Sequence, residues 1–218
     1  MTVVEIENLT KIYKNTRVLD EITCSFSAGE VSGLEGPNGS GKTMLIRAIA
    51  GLIRPTSGFV KVEGHIIGRD RPFPDSIGVL IEGPAFLERK TAYQNLRLLS
   101  MVRRVASKEQ IYSWLEAVEL DPNSRMPYRK FSLGMKQRLG IAAAMFEEPR
   151  LLLLDEPTNA LDASGVKILQ TLIHKAAEKG ACVIIASHDA AFLRSVADHV
   201  WVMSAGRAVR CVERGDNQ

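Results

Sequence analysis

Gly36-Pro37-Asn38-Gly39-Ser40-Gly41-Lys42-Thr43 is the stretch on which the reading of this chain turns. It satisfies G-x-x-x-x-G-K-[ST] where that pattern has mechanical meaning, after a short strand, Val31 to Glu35, and before a helical run with Met44, Leu45, Ile46, Ala48 and Ile49. Glycines let backbone N–H groups curl around a phosphate, and the amino end of the helix adds its dipole. Lys42 is spaced to reach β- and γ-phosphates, and the Thr43 hydroxyl to ligate Mg²⁺. All eight residues are expected to line a nucleotide site.

The matching second element is Leu151-Leu152-Leu153-Leu154-Asp155-Glu156. A continuous apolar run of strand length is covered on both faces, as in a parallel sheet. It delivers Asp155 to the carboxyl edge, where ligands bind in open α/β sheets. Asp155 is expected to hold Mg²⁺ and Glu156 to act as general base toward water. Read alone, the pair is only two acids capping a strand; beside the phosphate loop it is chemistry.

The rest of the chain arranges itself around these two. Val4-Glu5-Ile6 and Ile22 to Phe26 alternate like strands with one wet face, and Phe59 to Val62 leads into a Glu63-Gly64 hairpin turn. Ile111, Trp114, Leu115 and Val118 fall at helical spacing, and Leu96, Leu99 and Val102 suggest a helix before them. We read about residues 83–145 as a helical insertion. Helix Val166 to Glu178 and strand Cys182 to Ala186 restore the alternation, Val200 to Met203 and Ala208 to Cys211 suggest a closing hairpin, and the polar tail from Glu213 to Gln218 is expected to fray. The fold class is therefore α/β: a phosphate-loop core sheet with an amino-terminal antiparallel lobe and a helical insertion, in a single domain of 218 residues.

Composition excludes several classes. Hydrophobic residues at 45% and charged residues at 24% are ordinary for a globular chain, and a net charge of +3 is too small to argue for DNA binding. Cys24, Cys182 and Cys211 lack metal or disulfide spacing. The start, Met1-Thr2-Val3-Val4-Glu5, has no basic region before an apolar stretch, so no signal peptide is expected. No apolar run approaches the roughly 18 residues that span a bilayer.

One further segment narrows the assignment. Phe131-Ser132-Leu133-Gly134-Met135-Lys136-Gln137-Arg138 precedes the acidic strand, and Asn159-Ala160-Leu161-Asp162 and then His188 follow it. In this order the motifs resemble the nucleotide-binding subunits of ATP-binding-cassette (ABC) transporters, whose signature is usually LSGGQ-x-R, and the likeness covers nearly the whole chain. The resemblance implies ATP hydrolysis with Mg²⁺ and a head-to-tail pair of subunits, a homodimer in the simplest case. ATP would lie between the phosphate loop of one copy and Ser132 and Gly134 of the other. It implies a separate integral-membrane subunit, a peripheral place on the cytoplasmic face and no nucleic-acid partner. Leu133 and Met135 depart from the signature.

By the same resemblance, His188 is the switch histidine, which serves catalysis beside Lys42 and Glu156, and Tyr13 stacks on adenine. Asp162 contacts the second subunit, although it also suits the N-cap of the next helix. Glu82 stands where most relatives carry a metal-sensing glutamine, and its carboxylate is expected to coordinate Mg²⁺ with Thr43 and Asp155. With Thr91-Ala92-Tyr93-Gln94-Asn95-Leu96 and the altered signature, it resembles the bacitracin- and lantibiotic-resistance exporters. Two rivals are weaker: a soluble ABC ATPase acting on nucleic acid or ribosomes, which usually carries two cassettes or coiled-coil arms, and a nonhydrolytic nucleotide switch.

Overall fold

The computed structural model describes residues 1–83, 85–103 and 106–213. Its strands divide between two sheets. The first is antiparallel, in the order β2 (Thr16–Ser27), β1 (Thr2–Tyr13), β4 (Ser57–Val62), β5 (His65–Ile66). The strands β1 and β2 run longer than simple alternation suggests, because bulges at Asn8 and Glu21, both with positive φ, shift the register and bring apolar residues back to the inner face.

The second sheet has the order β10 (Arg207–Glu213), β9 (His199–Ser204), β3 (Val31–Glu35), β8 (Cys182–Ser187), β7 (Leu151–Asp155), β6 (Ile77–Leu80). All neighbours are parallel except the β9–β10 hairpin. The apolar runs of β7 and β8 are explained by their two buried faces. Leu151, Leu153, Cys182, Ile184 and Ala186 join a core shared with the antiparallel sheet and α1 (Lys42–Ile49). Their alternates Leu152, Leu154, Val183 and Ile185 join a second core, covered by helices. Cys24 and Cys182 sit in the first core as thiols, their pKa pushed up to about 12 by burial.

Between β6 and β7 the named elements are all helical: α2 (Ala92–Arg103), α3 (Lys108–Ala117), a 3-10 turn at Tyr128–Lys130 and α4 (Leu133–Met145). They pack into the second core with α5 (Ala163–Glu178) and α6 (Ala190–Val196). The helix expected from Leu96, Leu99 and Val102 is α2. Leu96 is buried, whereas Leu99 and Val102 are 42% and 82% exposed, and the buried face of α2 runs through Ala92, Asn95, Leu96 and Ser100. Asn95 earns its place through hydrogen bonds: its side-chain oxygen accepts from Leu87 N, and its amide donates to the carbonyls of Leu87, Lys90 and Thr91. Of the tail expected to fray, Glu213 instead ends β10, paired with His199, and the remainder from 214 onward lies outside the described residues.

Helix α4 sits so close to β6 that a side chain at Gly78 would overlap the carbonyl of Ala144. Gly78→Ala is therefore expected to lower the free energy of unfolding by about 1–3 kcal/mol, the usual cost of overpacking, as read from urea midpoints at unchanged m-value.

Candidate nucleotide site

The phosphate loop leaves β3 and enters α1 at Gly41, whose φ of 104° is open to glycine and strained for other residues. Space is as restrictive as conformation. A Cβ on Gly41 would stand 2.9 Å from the Val18 carbonyl and 3.3 Å from Gly206 Cα, and one on Gly36 would overlap the Met203 carbonyl. The loop is thus held between β2 and the β9–β10 turn. Gly206 N donates to Ser40 O (3.0 Å), and Asp20 N to Gly206 O (2.9 Å). Asp20 completes this brace by accepting from Arg207 Nε (2.7 Å) and Arg17 Nη1 (2.6 Å). Hydrogen bonds from Arg207, then from Arg17, hold its carboxyl below the ordinary carboxylate range.

Inside the loop, the buried ammonium of Lys42 donates to the carbonyls of Gly36 (2.6 Å) and Pro37 (3.2 Å). Asp155 arrives at the end of β7, only 6% exposed. It accepts a hydrogen bond from the Thr43 hydroxyl, yet its Oδ1 is buried with no partner, as is Ser40 Oγ. Burial raises the Asp155 pKa, and the charge of Glu156 adds to this; the Thr43 hydrogen bond and the charges of Lys42 and Arg47 oppose it.

Glu156 has a left-handed backbone (φ 48°), with its N–H bonded to Ala186 O at 2.8 Å. Its carboxylate accepts from His188 N (3.0 Å), His188 Nδ1 (2.8 Å) and Ser187 Oγ (3.3 Å). An ionised carboxylate only accepts, so Nδ1 carries the hydrogen of that contact.

The structure thus brings Gly36 to Thr43, Asp155, Glu156 and His188 to one edge of the parallel sheet. The signature lies elsewhere. Ser132 caps α4, accepting from Met135 N at 3.2 Å, and a Cβ on Gly134 would stand 3.0 Å from Ala160 O. Among the described residues, no hydrogen bond joins Ser132 or Gly134 to the phosphate loop. Helix α4 is tied instead to the loop after Glu156: Gln137 donates to Pro157 O (2.9 Å) and Arg138 to Asp162 (3.0 Å), while Asp162 caps α5 by accepting from Gly165 N (2.9 Å). Tyr13 ends β1 half-exposed, beside Lys14. Glu82 follows β6, and its carboxylate pairs with Arg47 of α1. Motif reading gave no role to Arg47, Ser187, Gln137 or the Asp20–Arg207 brace; Gln137 lay within the quoted signature and Arg47 one helical turn past Thr43, whereas the brace carried no local signal.

A family model described as ABC transporter matches residues 19–159, about two-thirds of the chain. The chain belongs to the ABC transporter family. It is the ATP-binding subunit of that family and an ATPase. It is 44% identical over 204 residues to an uncharacterized ABC transporter ATP-binding protein, YybJ of Bacillus subtilis, covering 94% of each chain. It is 38% identical over 208 residues to the bacitracin transport ATP-binding protein BcrA of Bacillus licheniformis, covering 94% of this chain and 68% of that one. A solved structure of the ATP-binding subunit of an ABC transporter superposes with a TM-score of 0.90 at 27% identity, covering 98% of this chain and 91% of the other. Among the described residues, no helix of this ABC subunit is long and apolar enough to cross a membrane.

Two substitutions test the site as described. Asp155→Asn removes a buried charge and is expected to raise Tm in nucleotide-free buffer at neutral pH, by about 2–4 °C per kcal/mol recovered, measured by differential scanning calorimetry. Asp20→Asn should lower Tm at pH 7. Its folded pKa is depressed, so its contribution is complete above the ordinary carboxylate range and lost as pH falls through the folded value. The Tm gap from the parent is therefore expected to close as pH drops below about 4.

Proposed function

We propose that this subunit hydrolyses ATP as one half of a head-to-tail pair, driving export of a peptide antibiotic or related drug through a separate membrane-spanning subunit. The observation that carries the reading is the juxtaposition of Lys42, Thr43 and Asp155 with a Glu156 carboxylate held by His188 and Ser187. On this reading Lys42 exchanges two backbone carbonyls for β- and γ-phosphate oxygens, and the loop amides from Gly36 to Thr43 cradle the β-phosphate. Tyr13 stacks on the adenine. Glu156 orients water and accepts its proton, and His188 positions that carboxylate.

The donors available for a cation fit Mg²⁺. Asp155 Oδ1 is buried without a partner beside the Thr43 hydroxyl, and both are hard oxygen ligands. No cluster of three or more His, Cys, Asp or Glu residues stands there among the described residues, which suits an ion that takes few protein ligands and keeps water and phosphate. Asp155 and Thr43 would hold the ion, which would supply charge that neutralises the nucleotide phosphates.

Ser132 and Gly134 are assigned to the nucleotide of the second copy, since within one copy they serve α4 and Ala160. Exposed Leu87, Leu98, Leu99, Met101 and Val102 in and before α2 support contact with a membrane subunit at the cytoplasmic face. Similarity to a bacitracin transport protein supports the cargo class. Glu156→Gln is the test. Turnover should fall by about 10²–10⁴-fold, and light scattering should show an ATP-dependent dimer accumulating. Unchanged turnover would remove Glu156 as base, and a monomer at saturating ATP would remove the paired site.

A further inference from the structure

Glu82 carries a problem of charge. Where the resemblance expects a neutral amide, this chain places a carboxylate, two residues past the end of β6, which pairs in parallel with the strand that ends at Asp155. The structure gives that carboxylate a positive partner. Arg47 stands four residues after Thr43 on α1, the spacing that puts two side chains on the same helix face. Its guanidinium pairs with Glu82, and the same charge acts through space on Asp155. Arg47 therefore stands within electrostatic reach of both carboxylates.

The pair is one that can open: both partners are part-exposed, with side-chain exposures of 31% for Arg47 and 67% for Glu82, and exposed ion pairs are weak. The Asp155 Oδ1 is buried with no hydrogen-bond partner of its own.

We propose that Arg47 is a positioning residue that withholds Glu82 from the divalent cation: the Glu82 carboxylate has two alternative partners, the Arg47 guanidinium and a cation beside Thr43 and Asp155, and the ion pair opens when the second is taken. The inference rests on the proposed Mg²⁺ site. Its consequence is a cation held less tightly than Asp155 and an unpaired Glu82 together would hold it, with Arg47 setting how much.

Mn²⁺ replaces Mg²⁺ as a spectroscopic probe, titrated by electron paramagnetic resonance into the chain saturated with a nonhydrolysable ATP analogue. Arg47→Gln is expected to tighten Mn²⁺ binding by about two- to fivefold, the equivalent of an exposed ion pair. Removing a positive charge near Asp155 has an effect of its own, so the decisive comparison is made in the Glu82→Gln background. There the tightening should shrink to that residual. Equal tightening in both backgrounds, or none in either, overturns the proposal. Arg47→Met gives a second measurement should Arg47→Gln unfold, as judged by its thermal melt. Asp155→Ala separates the two levels: if it leaves Mn²⁺ affinity unchanged, the metal site itself is wrong, whereas weakened binding with equal effects of Arg47→Gln in both backgrounds discards the Arg47 proposal alone.

Discussion

A sheet buried on both faces leaves its edges as the places where polar chemistry can surface, and this constraint organises the molecule. Leu151 to Leu154 and Cys182 to Ala186 point alternately into two apolar cores, so neither face of the parallel sheet has room for an ionised group. The strands end together at the carboxyl edge, and Glu35, Asp155 and Ser187 stand in register there or next to it. Gly36, Glu156 and His188 follow immediately. The site is thus a by-product of strand register: wherever β3, β7 and β8 pair, their following residues converge.

Convergence alone leaves loops slack, and the structure removes that slack with polar contacts from distant parts of the chain. The phosphate loop is braced from the β9–β10 turn through Ser40, Gly206, Asp20 and Arg207. The loop after Glu156 is held by Gln137 and Arg138 of α4. Each contact is modest alone, about 0.5–1.5 kcal/mol net for a typical hydrogen bond, but each orders backbone that would otherwise have many conformations. The tie between α4 and the Glu156 loop also links, within one copy, the residues assigned to two different nucleotides of a pair.

Much of this was legible because the informative residues are close in sequence. The phosphate loop, the Asp155–Glu156 pair and the alternation of strands and helices are local patterns. What escaped was long-range or polar. Nothing periodic links Asp20 to Arg207 or Arg47 to Glu82, and charged pairs between distant segments leave no trace in a hydrophobic pattern. Asn95 escaped for a related reason: a polar residue occupies the buried face of α2 because four hydrogen bonds satisfy it, and hydrophobic spacing gives no sign of that. The bulges at Asn8 and Glu21 hid most of the length of the first two strands by breaking their alternation. Helix α6, only seven residues long, is too short for periodicity to announce.

The brace on the phosphate loop has a consequence for synthesis. A ribosome releases the chain amino end first, so Gly36 to Thr43 emerge well before Gly206 and Arg207. Until then Ser40 O lacks its donor and Asp20 lacks one of its two arginines. The brace is thereby completed only once translation has passed Arg207. A nascent chain shorter than this carries the whole glycine-rich motif yet lacks the support that shapes it.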